Sequence, residues 1–195
     1  MLVTQGETKN PDTGNKDNIT LTLLFDWLPT FPAIYLTDNT GKEVYHGNKR
    51  DTTISIPNIS IGTYTLRVTD THWAETYEIL NKKLVITENS GTTPTREYKI
   101  LDSYADITVG FTSNLTVDDI TGKDLTLEVC TGTSNKGTAY KVTDKVLNDT
   151  ITCPKVLKGK NTLRFSGTGF KSVTKEITVT DNNASPITEI AVEKE

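Results

Sequence analysis

A chain of 195 residues with a formal net charge of −4 and a pI near 5.3 lacks the clustered Lys and Arg that phosphate-backbone binding requires, so nucleic acid is not expected as a partner. No stretch approaches the run of about 20 apolar residues that crosses a bilayer, and no membrane span is expected. Thr supplies about a fifth of the residues while Met, Trp and His are scarce, a composition that favours strand over helix.

From the N-terminus, residues 1–17 read as a flexible polar arm, with Gly6, Pro11 and Gly14 among several Asn; the alternative is an arm that orders on a neighbouring subunit. The opening residues show no charged segment followed by an apolar one, so no export signal is read there. Ile19 to Phe25 alternates apolar residues with Thr before running apolar, the pattern of a half-buried strand. An apolar loop follows, Trp27-Leu28-Pro29-Thr30-Phe31-Pro32, and Trp27, Leu28, Phe31 and Tyr35 are the candidate contacts for a partner. Thr40-Gly41-Lys42 and Thr121-Gly122-Lys123, each preceded by an acid, read as hairpin turns after strands ending at Thr37 and Val117. Residues Trp73 to Lys83 fit a strand or one helical turn. The closing segments are placed at Tyr98 to Ile100 and Ile190 to Val192, after Pro94 and Pro186.

An internal repeat organises the rest. Thr53 to Val68 (TISIPNISIGTYTLRV) and Thr150 to Phe165 (TITCPKVLKGKNTLRF) align without a gap, with seven of 16 positions identical; chance would give about one. In each copy a strand ends at Pro57 or Pro154 and another begins at Gly62 or Gly159, which separates strands of different sheets. Short strands with turn signals between them predict an all-β chain of two tandem antiparallel β-sandwich domains, about seven strands each. The boundaries expected are 18–100 for the first domain and 101–195 for the second, with a stiff linker over Leu101 to Asp106.

Chemistry-bearing residues are sparse. His46 and His72 have no ligands at metal spacing, and the second copy holds no His to activate Cys130 or Cys153. The two cysteines read as buried thiols, with a cross-strand bridge as the alternative in an oxidising compartment. Asp118-Asp119 and the Asp102, Asp106 group read as solvated turns, not calcium loops. Five Asn-x-Ser/Thr sequons, at Asn18, Asn58, Asn114, Asn148 and Asn183, follow from the abundance of Asn and Thr. No catalytic residue, metal site or cofactor is expected.

The Thr-Gly-Lys turn, the Ile56-Pro57 to Gly62 connection leading into Tyr64-Thr65-Leu66, and the closing V-T-x-N strand resemble the Ig-like or transthyretin-like modules of bacterial surface proteins, including pilin and adhesin repeats. The first copy is also similar to the N-terminal region of virion proteins of tailed phages of gut Bacteroidales. What the resemblance implies is a displayed, non-catalytic module. The leading expectation is a capsid decoration protein, assembled in the host cytoplasm and bound to a capsid protein; the alternative is a secreted adhesin or pilus component with oxidised cysteines. A third is a carbohydrate-binding module with glycans at an exposed aromatic loop. Self-formed Lys–Asn crosslinks are not expected, because the opening strands carry no Lys.

Overall fold

The computed structural model describes residues 19–72, 75–181 and 186–195, without the side chains of His72 and Asn89. The polar arm, the His72 imidazole, Trp73 and the sequons at Asn18 and Asn183 lie outside the described residues. The first half of the chain forms β1 (Ile19–Phe25), β2 (Pro32–Asp38), β3 (Glu43–Gly47), β4 (Thr53–Ile59), β5 (Gly62–His72), β6 (Glu75–Ile86) and β7 (Thr95–Tyr98). The second forms β8 (Tyr104–Ser113), the short helix α1 (Val117–Ile120), β9 (Thr126–Thr131), β10 (Thr138–Lys141), β11 (Thr150–Leu157), β12 (Gly159–Ser166), β13 (Val173–Val179) and β14 (Thr188–Val192).

Each half folds one three-stranded sheet over one four-stranded sheet, in the orders β4-β1-β7 with β3-β2-β5-β6, and β11-β8-β14 with β10-β9-β12-β13. Strand for strand the two halves share one topology, so the repeat read from 16 residues extends to the whole sandwich. Burial alternates strictly along β1, where Ile19, Leu21, Leu23 and Phe25 face inward, as a strand with one wet side requires. One core gathers Leu21, Leu23, Ile34, Leu36, Leu66 and Ile86; the other gathers Ile107, Leu125, Leu127, Leu163, Phe165 and Phe170.

The sandwiches are not wholly antiparallel. The opening and closing strands of each run parallel: Thr22 to Phe25 against Thr95 to Tyr98, and Val109 to Ser113 against Thr188 to Val192. The closing strand crosses over from the other sheet before it pairs with the opening strand, since a hairpin can join only antiparallel neighbours. In the first copy it also ends at Tyr98, so Ile100 is a buried residue leading into the 3-10 turn Leu101–Ser103.

Pro57 and Pro154 do not end their strands. Each sits in an edge strand at a bulge, where the following residue, Asn58 or Lys155, takes φ of 60° or 53° and the register slips. Edge strands accept Pro because its missing N–H is not needed by a neighbour, and the bulge bends the strand toward the turn that changes sheets. The turn is pinned alike in both copies. Tyr64 donates its hydroxyl to the Ser60 carbonyl at 2.8 Å, and Asn161, at the matching position, donates its amide to the Leu157 carbonyl at 2.8 Å.

The two Thr-Gly-Lys segments are not equivalent. Asp38 to Lys42 is the β2–β3 hairpin expected, with Asp38 Oδ1 accepting the N–H groups of Thr40 and Lys42 at 2.9 and 3.0 Å. Thr121 to Lys123 instead follows α1 and precedes β9, a connection that matches β1–β2. No strand ends at Val117, because Thr116 and Asp119 form a capping box: Asp119 Oδ2 accepts the Thr116 N–H at 2.8 Å, and Thr116 begins the helix.

Candidate functional site at the domain junction

Side-chain hydrogen bonds gather where the first sandwich meets the second. Asp26, just past β1, accepts the N–H groups of Ile100 and Leu101 through Oδ1 at 2.7 and 3.3 Å, capping the 3-10 turn that joins the halves. Ser103 donates its hydroxyl back to the Ile79 carbonyl at 2.8 Å, and its own carbonyl accepts the Lys158 N–H at 3.0 Å. With the Asp102 carbonyl accepting from Lys158 Nζ, all three residues of the linker turn are tied down. Tyr104 opens β8 of the second sandwich yet is buried in the core of the first.

That burial brings its phenol to Asp70, a fully buried carboxylate near the end of β5, with the hydroxyl donating to Oδ2 at 2.8 Å. Burial, with the Asp70 charge beside it, pushes the Tyr104 phenol far above its ordinary range, so it stays a donor at any physiological pH. Trp27 lies across the junction: the Tyr104 ring meets it edge-on at 5.0 Å, and the Lys155 ammonium sits 4.8 Å from its ring centre. Lys155 is the positive-φ residue of the β11 bulge, so the bulge aims this cation at the first sandwich. A cation over an indole contributes about 0.5–2 kcal/mol, depending on how dry the site is.

A second set of contacts closes the other side. The Tyr77 hydroxyl donates to the Thr131 carbonyl at 2.6 Å and lies against the Glu75 carboxylate, whose other oxygen accepts from Thr133 at 3.3 Å. Gly132, at φ of +60°, lies so close to the Tyr77 ring that a Cβ would come within 2.8 Å of Cε1. Glycine is required there both for the left-handed backbone and for the approach of the ring.

Cys130 belongs to this region. Leu127 and Val129 point into the second core, so strand alternation turns Cys130 to the outer face, where Tyr77 and the 132–137 segment cover it. Cys153 faces the core from the opposite sheet. Both thiols are buried and unbridged, in agreement with the buried-thiol reading, and their placement on different sides of a sheet rules against the cross-strand bridge that was its alternative. Burial pushes Cys153 up to about 12 and raises Cys130, so neither is a thiolate nucleophile near neutrality.

The four candidate contact residues do not form one patch. Trp27 is spent on the junction. Leu28 is buried in the first core. Tyr35 lies on the outer face of the four-stranded sheet between its cross-strand neighbours, with the His46 ring stacked at 4.5 Å and the Arg67 guanidinium at 4.7 Å. Phe31 is 65% exposed and is the open one of the four. Of the three aromatic rings, Trp27 and Tyr35 already carry protein groups, while Phe31 stands open. Among the described residues no cluster of His, Cys, Asp or Glu could hold a metal ion. The recess beside the junction, lined by Tyr104, Val129, Tyr140 and Lys155, holds about 40 Å³, room for a few waters at most.

Sequence reasoning placed Tyr104 in the linker without its role and missed Asp70, Tyr77, Gly132 and Lys155. The one available signal was the Trp27 loop, which has no counterpart in the second copy.

No family model matches the chain, and no curated protein matches it. Solved structures do. A candidate adhesin from Bacteroides ovatus is 13% identical with a TM-score of 0.49, covering 100% of this chain and 99% of its own. A streptococcal ancillary pilin is 10% identical with a TM-score of 0.42, over 93% of this chain and 63% of its own. The pilus 2b backbone protein of group B streptococcus is 12% identical with a TM-score of 0.31, over 87% and 80%. Among the described residues no helix is long and apolar enough to cross a membrane.

Proposed function

We propose that the chain is a non-catalytic structural element displayed at a cell surface, of the adhesin or pilus-component kind, in which two sandwiches are held as one strut. The observation that carries this reading is the junction. A loop unique to the first sandwich, a buried Tyr104–Asp70 bond and the Tyr77–Thr131 contact are all directed at fixing one sandwich on the other. A protein that works by holding a partner at a distance needs such a joint, and the polar groups gathered here are engaged with one another. Phe31, 65% exposed beside the joint, is the contact this reading assigns to a protein partner.

The reading is tested on cells that express the natural gene. Intact cells are treated with protease and probed with an antibody to the second sandwich. Loss of the signal from intact cells supports surface display; a signal that survives until lysis, or that co-purifies with phage particles, removes it.

A further inference from the structure

The path of the chain through the two sandwiches has a mechanical consequence. β1 runs toward the junction, since Phe25, Asp26 and Trp27 all lie there, while Ile19 begins the strand about 20 Å away at roughly 3.3 Å per residue. β8 starts at the junction with Tyr104 and runs away from it, ending at Ser113 beside Val192. The chain thus enters the described structure at one end and leaves it at the other. Within each sandwich the first and last strands are direct parallel neighbours, with four paired positions in β1–β7 and five in β8–β14.

We infer that the molecule is built to bear tension along its own axis, with these two parallel strand pairs loaded in shear. Pulling the ends apart drags β1 by its N-terminal end and β7 by its C-terminal end, in opposite directions along one ladder. All the hydrogen bonds of that ladder are then strained together, whereas a ladder pulled sideways opens one rung at a time. β8 and β14 are loaded in the same way. Beyond β14 the chain is also clipped. The Lys171 N–H donates to the Glu193 carbonyl at 2.9 Å, Lys171 Nζ bonds the Glu193 carboxylate at 2.7 Å, and Lys194 pairs with Asp119 of α1. Force arriving at the C-terminus meets this clip before the β8–β14 ladder. The inference stands on strand topology, so it holds or fails independently of where the protein is displayed.

Single-molecule force spectroscopy on the full chain tests it. One preparation is tethered through tags at its two termini. Two others are tethered through cysteine pairs facing each other across antiparallel strands, Thr63→Cys with Val85→Cys and Lys160→Cys with Thr178→Cys, whose positions are directly opposed in the β5–β6 and β12–β13 ladders. The native cysteines are buried and do not compete for the handles. Terminal pulling is expected to give two ruptures, one per sandwich, at forces at least twofold above those for the facing pairs at the same loading rate, because forced unfolding reports the barrier along the pulled direction. Equal forces in the two directions, or weaker ruptures from the termini, overturn the inference.

Discussion

Replacing Tyr104 with Phe tests the joint at its buried centre. The ring remains, so the packing in the first core and the edge-on contact with Trp27 at 5.0 Å persist; only the hydroxyl that donates to Asp70 at 2.8 Å is removed. Asp70 is fully buried, and a hydrogen bond to a charged group contributes about 1.5–3 kcal/mol. For a chain that unfolds as one unit of this size, that is a fall in Tm of roughly 3–12 °C. Tyr64→Phe is the matched control: it removes a hydroxyl bonded to a backbone carbonyl at the far end of the same sandwich and should cost only about 0.5–1.5 kcal/mol. Urea unfolding followed by Trp fluorescence and far-ultraviolet circular dichroism gives both values. An Asp70→Asn partner closes a double-mutant cycle, expected to show a coupling of at least about 1 kcal/mol. A Tyr104→Phe cost under about 0.5 kcal/mol, or a cycle without coupling, refutes the assignment of this bond as the centre of the joint.

Thiol labelling distinguishes opening of the joint from unfolding. Tyr77→Ala should speed labelling of Cys130 by roughly tenfold, the effect of easing local opening by ~1.4 kcal/mol, while Cys153 stays as slow as in the parent; equal acceleration of both would show global loosening instead. Gly132→Ala places a Cβ against the Tyr77 ring at a φ of +60°, and should cost about 1–2 kcal/mol from the backbone alone, read by the same urea titration. Lys194 holds the Asp119 carboxyl down to about 2 from its ordinary 3.8. Because the folded value is the lower one, the stabilisation is complete above about 3.8 and is lost as pH falls toward 2. Lys194→Ala should raise the Asp119 midpoint in an NMR titration, and an unmoved midpoint would show that the pair is not formed in solution.

How far the sequence discloses this molecule depends on the range of each contact. The sandwiches were legible because their signals are local: alternation in Ile19 to Phe25, the Pro-to-Gly punctuation, and a repeat whose Gly, Pro and Arg positions recur at one offset. The second Thr-Gly-Lys segment misled for the same reason, since three matching residues say nothing about which strands they connect, while the Thr116–Asp119 capping box beside it was a readable helix start. The parallel pairing of β1 with β7 was not legible, because register between strands some seventy residues apart leaves no mark on either strand alone. The joint was the least legible part. Trp27 stood out as an apolar insertion, but its contacts Tyr104 and Lys155 lie far along the chain, and nothing local to Asp70 in the sequence marks it as buried. A buried carboxylate facing a phenol is a property of two sandwiches meeting, not of either sequence segment.

Nitrogen-15 relaxation of the full chain in solution asks whether the two sandwiches tumble together. If the joint holds, amides of β1 to β7 and of β8 to β14 report a single overall correlation time, that of a rigid 21.5 kDa body. Two shorter and separate correlation times, each that of a body of half the mass, would contradict the account of a fixed strut.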